Sequence, residues 1–346
     1  MQRGTFNKLL AFSGFAGLGN IDPDQSSYRS IKRIKPKKLK PGDTIGLITP
    51  ASPISEEAFS RTLKNLESLG FNYKTGDNIF KKYGYLAGED MGRVDDIHKM
   101  FSDPEIDAVW CIRGGYGTTR ILNNIDYSLI KNNPKVFIGY SDITALHIAI
   151  YRKTGLITFH GPVASSEFTE YTIRCFRNLF FENFTAIGNF ENADNDSGDT
   201  LRHNIIVPGR MEGRLMGGNL SLLTALAGTE FQMPSENHII FIEDIDEKPY
   251  RIDRMLTQLI DSSFLQKASG ILLGIFKGCE AKPDEKNTLQ LNETLVDRLS
   301  MLGIPVFYGF SFGHIDNHCT IPVGIKAGFD TENQILFFKE KALAES

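Results

Sequence analysis

Hydrophobic and polar positions along this chain follow two rhythms. Short apolar runs of strand length recur at residues 44–49, 107–113, 136–138 and 156–160. Between them, in 55–69, 91–101 and 143–152, apolar residues fall three and four apart, as in helices packed by one face. Residues 71–75 extend a further strand and 169–181 a closing helix. Gly70 stands just past the first helix, where a left-handed residue commonly ends one. Strands alternating with helices predict a parallel, doubly wound sheet. Residues 183–208 read as a linker, polar and turn-rich over 191–199. Beyond it, strands are predicted near 239–242, 271–276, 305–310 and 334–338. A helix from about 249 places Ile252, Met255, Leu256, Leu259 and Ile260 on one face. The predicted organisation is a leading segment 1–40, an α/β domain 41–182, the linker 183–208 and a second domain 209–346.

A chain of 346 residues is natural for two domains. It is 41% hydrophobic and 23% charged, ordinary for a globular enzyme, and no apolar run approaches a transmembrane helix. The net charge of −4 is unevenly spread. Residues 29–40 carry seven positive charges, from Arg29 to Lys40, and without them the rest stands at −11. An acidic folded part argues against nucleic acid as a partner. The basic stretch reads as a solvated linker, with membrane-surface contact as the sharper alternative. Cys111, Cys175, Cys279 and Cys319 are isolated, so neither a disulfide framework nor a structural zinc site is implied.

At the N-terminus, Arg3 and Lys8 precede a mostly apolar run over 9–18, the layout of a secretory signal. Residues 3–8 are similar to a twin-arginine signal with Gly4 at the second arginine, and no A-x-A cleavage site follows. Periplasmic export and a retained cytoplasmic N-terminus both stay open.

The chemistry concentrates where strands end. The apolar run Val136-Phe137-Ile138 passes through Gly139-Tyr140-Ser141 directly into a helix. A serine there sits at the carboxyl end of a strand and beside a helix N-terminus, the geometry of a nucleophile elbow. The alternative is that Ser141 or Asp142 caps the helix, since the second glycine of G-x-S-x-G is missing. Two later strands end on the other groups a serine nucleophile needs: 239–242 on Glu243 and Asp244, and the 305–310 strand, through Gly313, on His314.

At this point the chain resembles the LD-carboxypeptidases of peptidase family S66, the murein tetrapeptide carboxypeptidases and microcin C immunity peptidases. The matching pieces are Gly42-Asp43 with Pro50-Ala51-Ser52, Arg113-Gly114-Gly115-Tyr116-Gly117, Gly139-Tyr140-Ser141-Asp142 and His160-Gly161-Pro162. They continue through residues 213–220, Glu243-Asp244, residues 249–254 and Gly313-His314. The resemblance implies that the second domain is smaller and β-rich, and that the active site lies in the cleft between the two. It implies a serine carboxypeptidase cleaving the L,D-bond that holds the terminal D-Ala of murein tetrapeptides, or a microcin-immunity-like amidase. A non-catalytic peptide- or glycan-binding module on the same fold is the alternative outside enzymology.

The roles follow the triad chemistry. Ser141 attacks, His314 moves the proton and a carboxylate orients the imidazole; Asp244, Asp246 and Glu247 crowd Glu243, and the resemblance implies Glu243. The N–H groups of Asp142 and Gly115 are candidate oxyanion donors. Asn219 and Arg254 are candidate substrate contacts by resemblance, and each also reads as a cap or a surface ion pair. No cofactor and no metal is expected. The expected partners are a small murein peptide and a second copy of the chain. His314 and His318, four apart, lack an obvious third metal ligand. His160 reads as a satisfied structural histidine near the cleft, with a second base as the alternative, and His147 as packing.

Overall fold

The first half of the chain builds a parallel sheet from β1 (Thr44–Ile48), β2 (Asn72–Thr75), β3 (Ala108–Cys111), β4 (Val136–Gly139) and β5 (Thr158–His160). Its helices are α1 (Glu56–Leu69), α2 (Asp90–Ser102), α3 (Tyr127–Asn132), α4 (Thr144–Thr154) and α5 (Glu170–Phe180). This computed structural model describes residues 32–188 and 203–345; the signal-like segment and the stretch 191–199 lie outside them.

The strands lie in the order β5-β4-β3-β1-β2, each parallel to its neighbour. After β2 the chain crosses to the other side of β1, so the loops following β1 and β3 meet at the point where the winding reverses. Ligands of open α/β sheets bind outside the carboxyl ends of strands at that point. The local signals explain the elements. Ser55 accepts the Ala58 N–H at 3.2 Å to start α1, a cap worth about 1 kcal/mol, and Gly70 ends it at φ +78°. Every residue of β3 and β4 is buried, as expected of a sheet covered on both faces. Trp110, the only tryptophan, lies in β3, stacks on Phe176 of α5 at 5.1 Å and donates Nε1–H to the Pro162 carbonyl.

The second half contributes β6 (Ala186–Gly188), β7 (Asn204–Val207), β8 (Arg210–Asn219), β9 (His238–Ile245), β10 (Gly270–Lys277), β11 (Val306–Gly313), β12 (Ile321–Val323), β13 (Lys326–Asp330) and β14 (Ile335–Phe338). Its helices are α6 (Leu220–Leu226), α7 (Pro249–Asp261) and α8 (Leu291–Leu299). The sheet runs β6-β14-β13-β8-β9-β10-β11-β7, with β8 to β11 parallel and the flanking strands antiparallel. The two-domain α/β expectation holds. Among the described residues, however, the second sheet is the wider, eight strands against six.

β12 leaves its own half and joins the first sheet, antiparallel to β5, with Ile321 opposite His160. From Arg33 onward the chain accordingly forms one compact unit. No helix among the described residues is long and apolar enough to cross a membrane.

Two expectations need correction. Residues 33–40 are not a free solvated linker. The Ile34 N–H donates to Gly155 O at 2.9 Å, Leu39 is buried, and Lys35 pairs with Glu340 at 3.1 Å. The interspersed Ile34 and Leu39 dock a segment whose charge alone suggested solvent. Within 183–208, the described ends are strands β6 and β7 at the two edges of the second sheet.

Candidate active site

β4 stops at Gly139, Tyr140 is extended, and Ser141 takes φ +64° before a single 3₁₀ turn, Ser141–Ile143, leads into α4. A left-handed non-glycine residue costs roughly 1–2 kcal/mol and persists only where its surroundings impose it. Here a Cβ on Gly139 would stand 2.9 Å from Cγ2 of Ile143, so the strand glycine admits the isoleucine over the corner. That explains the absent second glycine of the elbow pattern, since position 143 carries the side chain that fills the space. His147 anchors the corner from α4, its Nε2 lying 2.8 Å from Gly139 O.

Neither Ser141 nor Asp142 caps the helix with its side chain. Asp142 Oδ2 accepts the Thr118 N–H at 2.9 Å, and the Thr118 hydroxyl donates to Asp142 O at 2.6 Å. Burial pushes the Asp142 carboxyl up, opposed by those Thr118 bonds. The Ser141 hydroxyl is half-exposed and bonds to no described residue.

The loop 113–117 lies against this corner. A Cβ on Gly114 would sit 3.1 Å from Ser141 Cβ. Gly115 has φ +112°, and a Cβ there would come 2.3 Å from Ser52 Oγ, so only glycine fits. The Ser52 N–H donates to Gly114 O at 3.2 Å, and Ser52 Oγ accepts the Tyr116 N–H at 3.1 Å. The loops after β1 and β3 are thus tied together at the switch point. Arg93, buried in α2 and missed by sequence reasoning, fixes them from behind through Pro50 O (2.6 Å) and Gly117 O (2.9 Å). The N–H groups of Gly115 and Asp142 donate to no described residue.

From the second sheet come Glu243, fully buried near the end of β9, and His314, just past β11. His314 Nδ1 lies 2.7 Å from Glu243 Oε2. Successive residues of a strand face opposite ways, and this separates Glu243 from its neighbour. Asp244 faces α6, accepting from Asn219 Nδ2 (3.0 Å), the Ser221 N–H (3.0 Å) and the Ser221 hydroxyl (2.9 Å). Burial, then the adjacent Glu243, push Asp244 up to about 6.

Tyr140 bridges the halves. Its ring lies 4.7 Å from that of His314 and edge-on to His318 at 4.9 Å. Burial, then Glu243, push its hydroxyl up to about 12. Tyr140, the residue before Ser141, thus packs against the Glu243–His314 pair, while Gly114 packs against Ser141 itself.

The remaining candidates sit otherwise. Asn219 is buried, N-caps α6 through the Leu222 N–H at 3.3 Å and bonds Asp244, so its amide is already engaged. Arg254 is exposed on α7 over the Tyr250 ring at 5.5 Å and makes no hydrogen bond or ion pair with Ser141, Glu243 or His314. His160 is fully buried but not satisfied; neither ring nitrogen has a partner among the described residues. Among the described residues no three His, Cys, Asp or Glu side chains converge as a metal site.

Comparison with known proteins decides the family. Residues 45–161 match the LD-carboxypeptidase N-terminal domain and residues 212–329 the LD-carboxypeptidase C-terminal domain. The chain belongs to the LD-carboxypeptidase family, peptidase family S66. It is 43% identical over 297 residues to a probable murein peptide carboxypeptidase of Bacillus subtilis, spanning 86% of this chain and 92% of that protein. It is 32% identical to the murein tetrapeptide carboxypeptidase of Pseudomonas aeruginosa, over 81% of this chain and 91% of that one. The solved structure of the microcin C7 self-immunity protein, known from Escherichia coli, superposes with a TM-score of 0.80 at 28% identity, covering 90% of this chain and 100% of that chain. As a member of the LD-carboxypeptidase family this chain is a hydrolase of the serine-carboxypeptidase type.

Proposed function

We propose that this chain removes the terminal D-Ala of murein tetrapeptides, with Ser141, His314 and Glu243 as a serine triad. The observation that carries the reading is the Glu243–His314 pair at 2.7 Å, packed on Tyr140, the residue before a serine in a left-handed corner. The relatives named as murein carboxypeptidases support the substrate class.

Glu243 accepts Nδ1–H of His314, which leaves the Nε2 lone pair for the Ser141 proton. Ser141 Oγ then bonds to the carbonyl carbon of the L,D-peptide bond. The carbonyl oxygen becomes an oxyanion, with the Gly115 and Asp142 N–H groups as its donors. Collapse breaks the C–N bond, and His314 gives its proton to the leaving D-Ala nitrogen. Water, deprotonated by the same imidazole, hydrolyses the acyl-serine. Ser141 and His314 are not hydrogen-bonded in the free protein; such contacts commonly tighten only once substrate is bound.

Product analysis of two tetrapeptides differing only in the terminal stereocentre tests the reading. The D-Ala peptide should yield tripeptide and free D-Ala. The L-Ala peptide should be slower by on the order of 10²-fold or more in kcat/KM, because the misplaced methyl shifts the carbonyl off the nucleophile. Equal rates, or cleavage inside the peptide, would sink the L,D-specificity. The likeness to the microcin self-immunity protein supports a second reading, amide hydrolysis of a peptidyl nucleotide. Turnover of such a conjugate with no D-Ala release would select it.

A triad generates its nucleophile without an ion. Activity should therefore survive exhaustive treatment with a chelator. Loss with chelator and recovery with zinc would replace the triad with a metal mechanism.

A further inference from the structure

In and around the Glu243–His314 pair are buried polar atoms with no partner among the described residues. They are Glu243 Oε1, both ring nitrogens of His160, Nε2 of His318 and Nδ1 of His147. Buried polar atoms are almost always paired, with protein or with ordered water. Here four of the orphans sit on three neighbouring imidazole rings. The His160 ring stands 5.8 Å from that of His318 and 6.3 Å from that of His147. It also packs on Phe241 at 5.2 Å and Phe312 at 6.2 Å. Phe241 precedes Glu243 by two residues within β9, so the two share a face of that strand. Tyr140 closes the group, touching His318 and His314 and lying 6.1 Å from His160.

The donor and acceptor inventory does not close on protein alone. Burial holds all three buried histidines neutral, with His147 lowered to about 4 and His318 to about 3. A neutral imidazole offers one donor and one acceptor. Nε2 of His147 must carry its proton, because it faces the Gly139 carbonyl; Nδ1 is therefore an acceptor. Glu243 Oε1 accepts only. With one nitrogen of His160 also accepting, at least three acceptors share the donors that His160 and His318 can supply. Water brings two donors per molecule.

We propose that these residues enclose an internal water site that belongs to the catalytic machinery. Water joins Glu243 Oε1 to His160 and the neighbouring imidazoles, which makes His160 and His318 positioning residues for the Glu243–His314 pair. This rests on the assignment of that pair to the reaction. Water on Oε1 stops the carboxylate from rotating and keeps Oε2 aimed at Nδ1 of His314. Because His160 belongs to the first sheet and Glu243 to the second, the water also registers the half that carries Ser141 against the half that carries the acid and base.

Two measurements test it. A high-resolution crystal structure of the wild-type protein should show water within about 3.2 Å of both Glu243 Oε1 and a His160 nitrogen. A dry pocket, or a protein donor on Oε1, would overturn the proposal whatever the activity. In solution, His160→Leu should lower kcat by about 10- to 100-fold with KM within about threefold, the scale on which partners that orient a reacting ligand act. His160→Gln, which can still hold water, should recover most of that loss. A folded His160→Leu protein with wild-type kcat would overturn the proposal. Should His160→Leu fail to fold, His318→Gln against His318→Leu repeats the comparison. Failure of the triad itself reads differently, since Ser141→Ala would then stay active.

Discussion

Ser141→Ala lowers kcat by roughly 10⁴- to 10⁶-fold while KM and thermal stability stay near those of the wild type. The reason is geometric. The hydroxyl is half-exposed, bonds to no described residue and serves no cap, so its removal costs the fold almost nothing. A small side chain at φ +64° is retained, so the corner keeps its shape. The residual rate measures what the Gly115 and Asp142 N–H groups and substrate binding achieve without the nucleophile. Steady-state kinetics beside a melting curve checks this, and more than a tenth of wild-type turnover would end the assignment of Ser141.

Glu243→Gln carries the second large effect, a loss in kcat on the order of 10³- to 10⁴-fold. The carboxylate can only accept, so it fixes the proton of His314 on Nδ1. An amide can turn its NH₂ toward Nδ1, place the imidazole proton on Nε2 and leave nothing to accept the serine proton. Asp244→Asn is the control. Its carboxyl is bound to Asn219 and Ser221 at the start of α6, so that change should move the melting temperature more than kcat. The reverse pattern would transfer the acid's role to Asp244.

The elbow and its partners were legible because each announces itself locally. A buried apolar run, a glycine and a serine at a helix start lie within a few residues, and Glu243 and His314 close two further strands. What stayed hidden depends on distant chain. β8 contains Gly213, Gly217 and Gly218 and reads poorly as a strand. A Cβ on Gly217 would stand 1.8 Å from Phe241 O, so the glycine answers to β9 rather than to its own neighbours. β12 contains Pro322, which argues against a strand in isolation yet is tolerated at a sheet edge. The basic residues 33–40 masked the two apolar side chains that dock them. For His160, sequence reasoning found the residue but not its unsatisfied ring, because satisfaction is a property of surroundings that no spacing records.

The placement of β12 has a consequence for how the protein is made. Its three residues protect the open side of β5, and about 160 residues separate the two strands along the chain. At ribosomal speeds of roughly 5–20 residues per second, the strand that seals β5 emerges some 10–30 s after it. During that interval the nascent first half presents unpaired amides and carbonyls beside Ser141, the kind of exposed ladder that recruits other chains. A truncated message ending before residue 321 would therefore yield a first sheet whose β5 edge cannot be completed.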